Sequence, residues 1–156
     1  VMQKNAEQYL CEPVQWERLR FVHIFDKKFS HEKEKIYVGY LGVNIKRVKL
    51  ISVISDLKAH GVDCFGVPIE YRDLENISMR QAFDLARNYA GGVDASVYEI
   101  SKAQSKCPPV YWKFGLNQKN EAEEKVGGIV MIDRLDGHVW TDAENEEYMY
   151  DYNNIF

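Results

Sequence analysis

The chain has 156 residues and a formal net charge of −4, and this length suits one domain that buries about two thirds of its unfolded surface. Hydrophobic residues make up 46% of the sequence and charged residues 28%, which excludes an intrinsically disordered chain. No apolar stretch approaches the roughly 20 residues that cross a bilayer, which excludes a membrane-spanning helix.

The first part of the sequence predicts a short helix and then a pair of strands. Residues 2–10 suit a helix that stops before Pro13, because proline restricts the residue ahead of it. Residues 16–25 alternate in polarity and residues 35–43 are β-branched and aromatic, so both segments predict strands. The polar segment 26–33 between them indicates an antiparallel pair.

A helical pattern and another strand follow. Apolar residues recur at every third position from Val48 to Leu57, which predicts a helix over 46–60. Gly61 would end this helix, because glycine tolerates the left-handed conformation of a helix cap. The apolar run 62–69 predicts the next strand. The predicted buried stripe of the helix consists of Val48, Leu50, Ile51, Val53, Ile54 and Leu57.

The second half begins with a clear helix signal. Ser78 is followed three residues later by Gln81, a capping box in which each side chain bonds the backbone amide of the other residue. We expect a helix to start here and to end at Gly91–Gly92. Its predicted buried stripe consists of Phe83, Ala86, Tyr89 and Ala90. Strands are then predicted over 95–102, 110–116 and 128–133.

A tight hairpin and a terminal helix complete the predicted elements. Asp136–Gly137 readily supplies the two positive-φ residues of a type I′ turn, so we expect a two-residue turn before a short return strand over 138–141. Thr141 and Glu144 form a second capping box, which predicts a helix over 142–150.

The end of the chain is acidic and rich in tyrosine. Residues 142–156 contain five acidic residues and no basic residue. Carboxylates on a helix would raise the association rate with a basic surface, and tyrosines that become buried there would supply affinity. Nucleases and other nucleic-acid-directed toxins have such basic surfaces. The predicted partner-binding residues are Asp142, Glu144, Glu146, Glu147, Tyr148, Tyr150, Asp151 and Tyr152.

An alternative interaction is indicated by the basic segment 18–49. It contains nine Lys or Arg residues against three acids, with aromatic residues interleaved. Lysine and arginine neutralise phosphates and aromatic rings stack on bases, so this segment could bind nucleic acid, although the pI near 5.6 argues against it. The residues of this alternative site are Arg18, Arg20, Lys27, Lys28, Lys46, Arg47 and Lys49.

The sequence predicts no catalytic residues, no metal and no cofactor. Asp133, Asp136 and His138 could pair as acid and base, but a turn already explains Asp136. The four histidines, His23, His31, His60 and His138, are scattered, and none has the spacing of a helical zinc site. Neither Gly-Gly pair is followed by the residues of a phosphate loop.

The cysteines indicate a reducing compartment. Cys11, Cys64 and Cys107 are odd in number and widely spaced, so reduced thiols in the cytoplasm are the simplest interpretation. Cys64 lies in an apolar run and is expected in the core. Cys107 precedes two prolines and is expected to be exposed.

The order of motifs in the second half resembles a known family. A helix over 82–89 leads to the aromatic strand Tyr111–Phe114, the hairpin 132–139 and a trailing Glu147–Tyr148 pair. This order resembles the YrhB-like bacterial immunity-protein family (immunity protein 35), a small domain with a helix and an antiparallel sheet. The same helix and meander are also similar to a PepSY domain.

The first resemblance implies a non-enzymatic cytoplasmic protein that protects its producer by binding a cognate toxin. It offers no catalytic residues, and the positions that touch a toxin cannot be carried over because they vary with the toxin. The PepSY resemblance implies instead an extracytoplasmic module that regulates a peptidase. Toxin neutralisation is therefore our leading functional hypothesis, with nucleic-acid binding and peptidase regulation as alternatives.

We expect a single α+β domain built on an antiparallel sheet. The predicted order is β-β-α-β followed by α-β-β-β, with the helices mostly on one face and a short C-terminal helix. Residues 1–77 and 78–156 are possible halves that share a core.

Overall fold

The computed structural model describes residues 5–15, 19, 22, 36–43, 45–92, 95–100, 108–118 and 128–153. The chain divides into two compact units. Unit 1 spans Val1–Asp73 and Glu146–Phe156, and unit 2 spans Leu74–Asn145. Helices and antiparallel sheet occur in both, so the predicted α+β class is confirmed. None of the helices in the described ranges has the length and apolar character needed to cross a bilayer.

Unit 1 is an antiparallel sheet covered on one face by a helix. Its longest strand pairs with each of the other three strands. Side chains from this sheet and from the helix form one buried core. The elements are β1 (Asn5–Gln15), β2 (Ile36–Tyr40), β3 (Ile45–Lys46), α1 (Arg47–Ala59), β4 (Cys64–Pro68) and the one-turn helix α2 (Glu70–Asp73), together with part of α4 (Asp142–Asn153).

The helix predicted over 2–10 is wrong, because β1 occupies this part of the sequence. Ala6, Glu7, Gln8 and Leu10 are all fully buried, and the backbone of this segment pairs with β3, β4 and β2, so a sheet and not a helix satisfies its polar groups. Pro13 does not end a helix. It lies where the register between β1 and β2 shifts, at a bulge where proline's missing amide is tolerated.

The strand predicted over 35–43 exists as the shorter β2, but it pairs with β1. In the predicted partner strand 16–25, the described residues are Leu19 and Val22, which have helical backbone and are fully buried. The extended conformation is therefore wrong at these two positions. The rest of 16–25, like the predicted linker 26–33, lies outside the described residues.

Helix α1 and strand β4 confirm the predictions for 46–60 and 62–69. Gly61 follows the helix with φ of +75°, as a helix-ending glycine should. The buried positions of α1 are Leu50, Val53, Ile54 and Leu57. Val48 is 49% exposed, so its place in the predicted stripe was wrong. A strict three-residue repeat drifts around a helix with 3.6 residues per turn, and its first member leaves the core-facing side.

Unit 2 packs one helix on a three-stranded antiparallel sheet whose strands lie in chain order. Ala82 and Ala86 of the helix contact the sheet in a core completed by Phe114, Val130 and Ile132. Tyr89 was predicted to be buried but is 40% exposed. Small side chains let the helix lie close to the sheet, and Ala82 takes the core position. The elements are α3 (Met79–Gly92), β5 (Ala95–Glu99), β6 (Tyr111–Gln118) and β7 (Gly128–Asp133), followed by the start of α4.

The hairpin after β7 has a four-residue loop, so the predicted two-residue turn was wrong. Asp133 closes the loop by donating its amide to the carbonyl of His138 at 2.8 Å. The Asp133 carboxylate accepts the amides of Leu135 and Asp136 at 2.8 and 3.2 Å, which curls the intervening chain. Gly137 then takes a φ of +76° to return to the sheet. The side chain of Asp133 therefore selects a wider turn than the Asp-Gly pair alone would.

Candidate functional site

Helix α4, which carries the predicted partner-binding residues, starts at the predicted capping box. Thr141 Oγ1 accepts the amide of Glu144, and Glu144 Oε1 accepts the amide of Thr141, both at 3.1 Å. The helix extends to Asn153, three residues beyond the predicted end. Its first turn, from Asp142, belongs to unit 2, and the part from Glu146 onwards belongs to unit 1.

One side of α4 is fixed to the edge of the sheet in unit 1. The Tyr148 hydroxyl donates to the carbonyl of Gly66 at 2.6 Å, and the amide of Gly66 donates to Asn153 Oδ1 at 2.7 Å. Gly66 belongs to β4, whose other edge pairs with β1. The two side chains thus satisfy the outward polar groups of an edge strand, which otherwise invites pairing with another chain.

Close packing reinforces this attachment. A Cβ atom on Gly66 would lie 2.4 Å from the carbonyl oxygen of Tyr152 and 2.9 Å from Ile54 Cδ1, so only glycine allows the observed approach. Arg47 donates to the carbonyl of Asp151 at 2.6 Å, and its guanidinium carbon lies 6.0 Å from the centre of the Tyr152 ring. The C-terminal turns of α4 are therefore held by both sheet and helix residues.

The predicted partner-binding residues have different surroundings. Tyr148 is only 6% exposed, and Tyr152 packs against the core of unit 1. In unit 2, Glu144 is engaged by His138, while Asp142 is exposed. The exposed side of α4 within unit 1 carries Glu146, Glu147 and Tyr150, which we call the exposed α4 surface.

The alternative basic site is described only in part. Arg18, Arg20, Lys27 and Lys28 lie outside the described residues. Lys46 and Lys49 are exposed near the start of α1. Arg47, between them, uses its guanidinium to hold the end of α4. The nucleic-acid alternative therefore stays a prediction, with Arg47 accounted for by the fold.

The hairpin of unit 2 contains the acidic residues considered for catalysis. Asp133 is 2% exposed, and its second oxygen accepts the indole N–H of Trp140 at 2.9 Å. Both oxygens of this carboxylate are therefore engaged by the hairpin itself. The Trp140 ring meets Tyr111 edge to face, with ring centres 5.1 Å apart. Asp133 therefore holds the hairpin loop and the Trp140 ring in place.

His138 is similarly engaged on both sides. Its ring nitrogens face the carboxylates of Asp136 and Glu144, whereas a general base needs a bare nitrogen directed at a substrate. Asp133, Asp136 and His138 each bring one ligand-type atom to within 4.8 Å of the other two. Hydrogen bonds within the hairpin and to α4 already account for these atoms, so the cluster is explained without a cation.

Sequence reasoning missed a buried carboxylate in unit 1. Glu7 is fully buried and accepts the amides of Gly42 and Val43 at 2.9 and 3.0 Å, and it forms an ion pair with Arg72. Burial raises the pKa of Glu7, although the bonds from Arg72 and the Val43 amide act in the opposite direction. No local signal marks this site, since Arg72, Gly42 and Val43 are all distant from Glu7 in sequence. The carboxylate joins β1 to the loop between β2 and β3.

The structure describes two of the three cysteines, Cys11 and Cys64. Cys64 is buried in the core as predicted, and burial raises its pKa to about 11, which leaves it unreactive at neutral pH. Cys11 is half-buried. Cys107 lies outside the described residues.

An open groove of about 530 Å³ lies beside α3 in unit 2. Two arginines and two acids line it, and they cancel in formal charge. Arg87 pairs with Asp84 at 2.8 Å and lies over the Phe83 ring, 5.7 Å from its centre. This lining selects no particular ligand charge. The lining residues are Met79, Arg80, Phe83, Asp84, Arg87 and Glu99.

Comparison of the chain with family models, curated proteins and solved structures found no match. The resemblances to immunity protein 35 and to PepSY domains therefore remain predictions from the motif order.

Proposed function

We propose that the protein is a non-enzymatic binding protein that neutralises a basic, nucleic-acid-directed toxin. The observation that carries this proposal is the exposed α4 surface, where two adjacent carboxylates and a tyrosine that is 53% exposed share one side of a helix. Tyr148, on the other side of the same helix, and Asn153, its last residue, fix the helix to β4. A surface that is ordered before binding loses less conformational freedom on docking.

The chemistry of this surface favours a cationic protein partner. Glu146 and Glu147 supply adjacent negative charges, which accelerate encounter with a basic patch. Tyr150 supplies a large ring with a polar tip, a side chain enriched in protein interfaces. The carboxylates would provide specificity and association rate, and the ring would provide much of the buried area.

Docking on a basic patch would itself inhibit a toxin of this class. A nucleic-acid-directed enzyme holds its substrate through cationic side chains that neutralise phosphates. An acidic protein surface on those side chains competes with the phosphates and needs no chemistry of its own. The motif order that resembles immunity protein 35 supports a toxin as the partner, and the charge of the exposed α4 surface supports a basic one, as nucleic-acid-directed toxins are.

A growth assay in a test host tests the proposal. Each gene adjacent to the gene of this chain is expressed alone and together with it. We expect one neighbouring product to arrest growth alone and the chain to restore growth by binding that product. If no neighbour arrests growth, or if growth is not restored, the proposal is wrong.

Charge-reversed variants locate the effect on the chain. Glu146→Lys combined with Glu147→Lys should no longer restore growth, because it places positive charge against a basic partner. Glu75→Lys combined with Glu99→Lys is the matched control, since both pairs change exposed acids and add the same charge. The control pair should protect as well as the unchanged chain. Equal protection by both pairs would show that the exposed α4 surface is not the docking site.

A further inference from the structure

His138 lies between two carboxylates from different elements of unit 2. Its Nδ1 is 2.5 Å from Asp136 Oδ1 in the hairpin loop, and its Nε2 is 2.7 Å from Glu144 Oε2 in the first turn of α4. The ring lies parallel to that of Trp140, with 5° between the planes and 6.2 Å between the centres. One imidazole therefore connects the hairpin to the start of a helix.

This connection requires a proton on each ring nitrogen. The imidazolium has two N–H donors, whereas neutral imidazole has one donor and one acceptor. A carboxylate offers no proton at neutral pH, so neutral His138 can bond only one of its two neighbours. Its bare nitrogen would then face the negative charge of the other, and one of the two contacts would be lost.

The charged groups that face the ring within the described residues are all carboxylates. Asp136 approaches from the loop, Glu144 from α4 and Asp133 from the end of β7. Partial burial lowers the pKa of His138, but the bonds to Glu144 and Asp136 outweigh this effect, and the pKa lies above its ordinary value. Burial raises the pKa of Asp136 and of Glu144, but their bonds to His138 outweigh this effect, and both pKa values lie below the ordinary ones.

We propose that His138 is a pH-sensitive clasp that holds the first turn of α4 to the hairpin when protonated and releases one of its two contacts when neutral. The geometry of a single ring between two acids carries this inference. It extends the account to regulation within unit 2 and does not depend on the proposed toxin partner.

The direction of the pH effect follows from proton linkage. The pKa of His138 is higher in the folded chain, so its stabilising contribution is complete below the ordinary value of 6.5 and is lost as the pH rises through the folded value. The pKa values of Asp136 and Glu144 are lowered, so their contribution is present above the ordinary carboxyl values and is lost as the pH falls through the folded ones. His138 therefore holds both carboxylates at pH values above the folded-state pKa values of Asp136 and Glu144 and below that of His138.

Amide hydrogen exchange measured with a histidine titration by NMR tests the clasp on the full chain. The Asn145 amide donates to the Thr141 carbonyl in the first turn of α4, and the Ala82 amide makes the equivalent bond to Ser78 in α3. The ratio of their exchange rates cancels the intrinsic effect of pH. We expect His138 to titrate above 6.5 and the Asn145 to Ala82 ratio to rise through this titration by roughly two- to fivefold, the factor expected for an exposed ion pair.

The substitution Glu144→Gln separates the clasp from general helix fraying. The glutamine carbonyl can still accept the Thr141 amide, but its NH₂ group faces Nε2 and is accepted only by a neutral ring. We expect the pKa of His138 to fall and the exchange ratio to fall, instead of rise, as the pH rises through this titration, because the neutral ring can donate to Asp136 and accept from the glutamine at the same time. Glu75→Gln, an exposed change in the same unit, should leave both quantities unchanged. An unshifted His138 pKa in Glu144→Gln, or a constant ratio in the unchanged chain, would overturn the proposal.

Discussion

The two sides of α4 in unit 1 are built from the same residue types but face different surroundings. Tyr148 is 6% exposed and bonds the edge of β4, whereas Tyr150, two positions later, is 53% exposed. Two residues rotate a helix by more than half a turn, so neighbours in sequence reach opposite sides. The phase of the helix, rather than its composition, therefore separates residues that support the fold from residues available to a partner.

The largest effect on stability is expected at Gly66 of β4, which faces the packed side of α4. Gly66→Ala should lower the free energy of unfolding by about 3 kcal/mol, because the new methyl group meets a backbone oxygen that cannot move independently. Urea denaturation of both proteins measures the difference.

The matched control for this change is Gly91→Ala near the end of α3. A Cβ atom there meets nothing within 4 Å, and alanine favours helix over glycine. Gly91→Ala should leave stability unchanged or raise it by up to about 1 kcal/mol. A similar loss in both variants would show that close packing between α4 and β4 is not what makes Gly66 necessary.

A smaller effect is expected from removing one hydrogen bond on the packed side. Tyr148→Phe keeps the ring but leaves the Gly66 carbonyl without that donor, and it should cost about 1 kcal/mol of unfolding free energy. The same substitution at the exposed position, Tyr150→Phe, should change stability by less than about 0.5 kcal/mol. Equal losses at both positions in urea denaturation would contradict the assigned orientation of α4.

The smallest effect on stability is expected from charge reversal on the exposed side. Glu146→Lys combined with Glu147→Lys should shift the unfolding free energy by no more than about 0.5 kcal/mol, since both side chains are exposed. Thermal unfolding followed by circular dichroism checks this expectation. A loss of several kcal/mol would mean that these acids support the fold, and they could not then serve as a separable docking surface.

The features that the sequence predicts well are those decided by neighbouring residues. The capping boxes at Ser78 and Thr141 mark the starts of α3 and α4, because each is closed by side chains and amides three residues apart. The stop at Gly61 follows equally from a local backbone requirement. For this reason the fold class and the positions of the helices in the second half could be predicted from the sequence.

The features that the sequence does not predict depend on contacts between distant segments. Residues 5–10 have the composition of a helix, but pairing with other strands of unit 1 makes them part of β1. Which tyrosines of α4 are buried depends on Gly66, more than 80 residues earlier. The acidic composition of the candidate site could be identified from the sequence, and its restriction to Glu146, Glu147 and Tyr150 in unit 1 could not.

The most direct test of the docking account is the affinity of the purified chain for the toxin identified by growth rescue, measured by titration calorimetry. The Glu146→Lys and Glu147→Lys double variant should bind on the order of 100-fold more weakly, because like charges would meet in the interface. The Glu75→Lys and Glu99→Lys control adds the same charge in unit 2 and should bind within about threefold of the unchanged chain, since an exposed charge outside an interface contributes little. Unchanged affinity in the first variant, or an equal loss in both, would contradict the exposed α4 surface as the docking site.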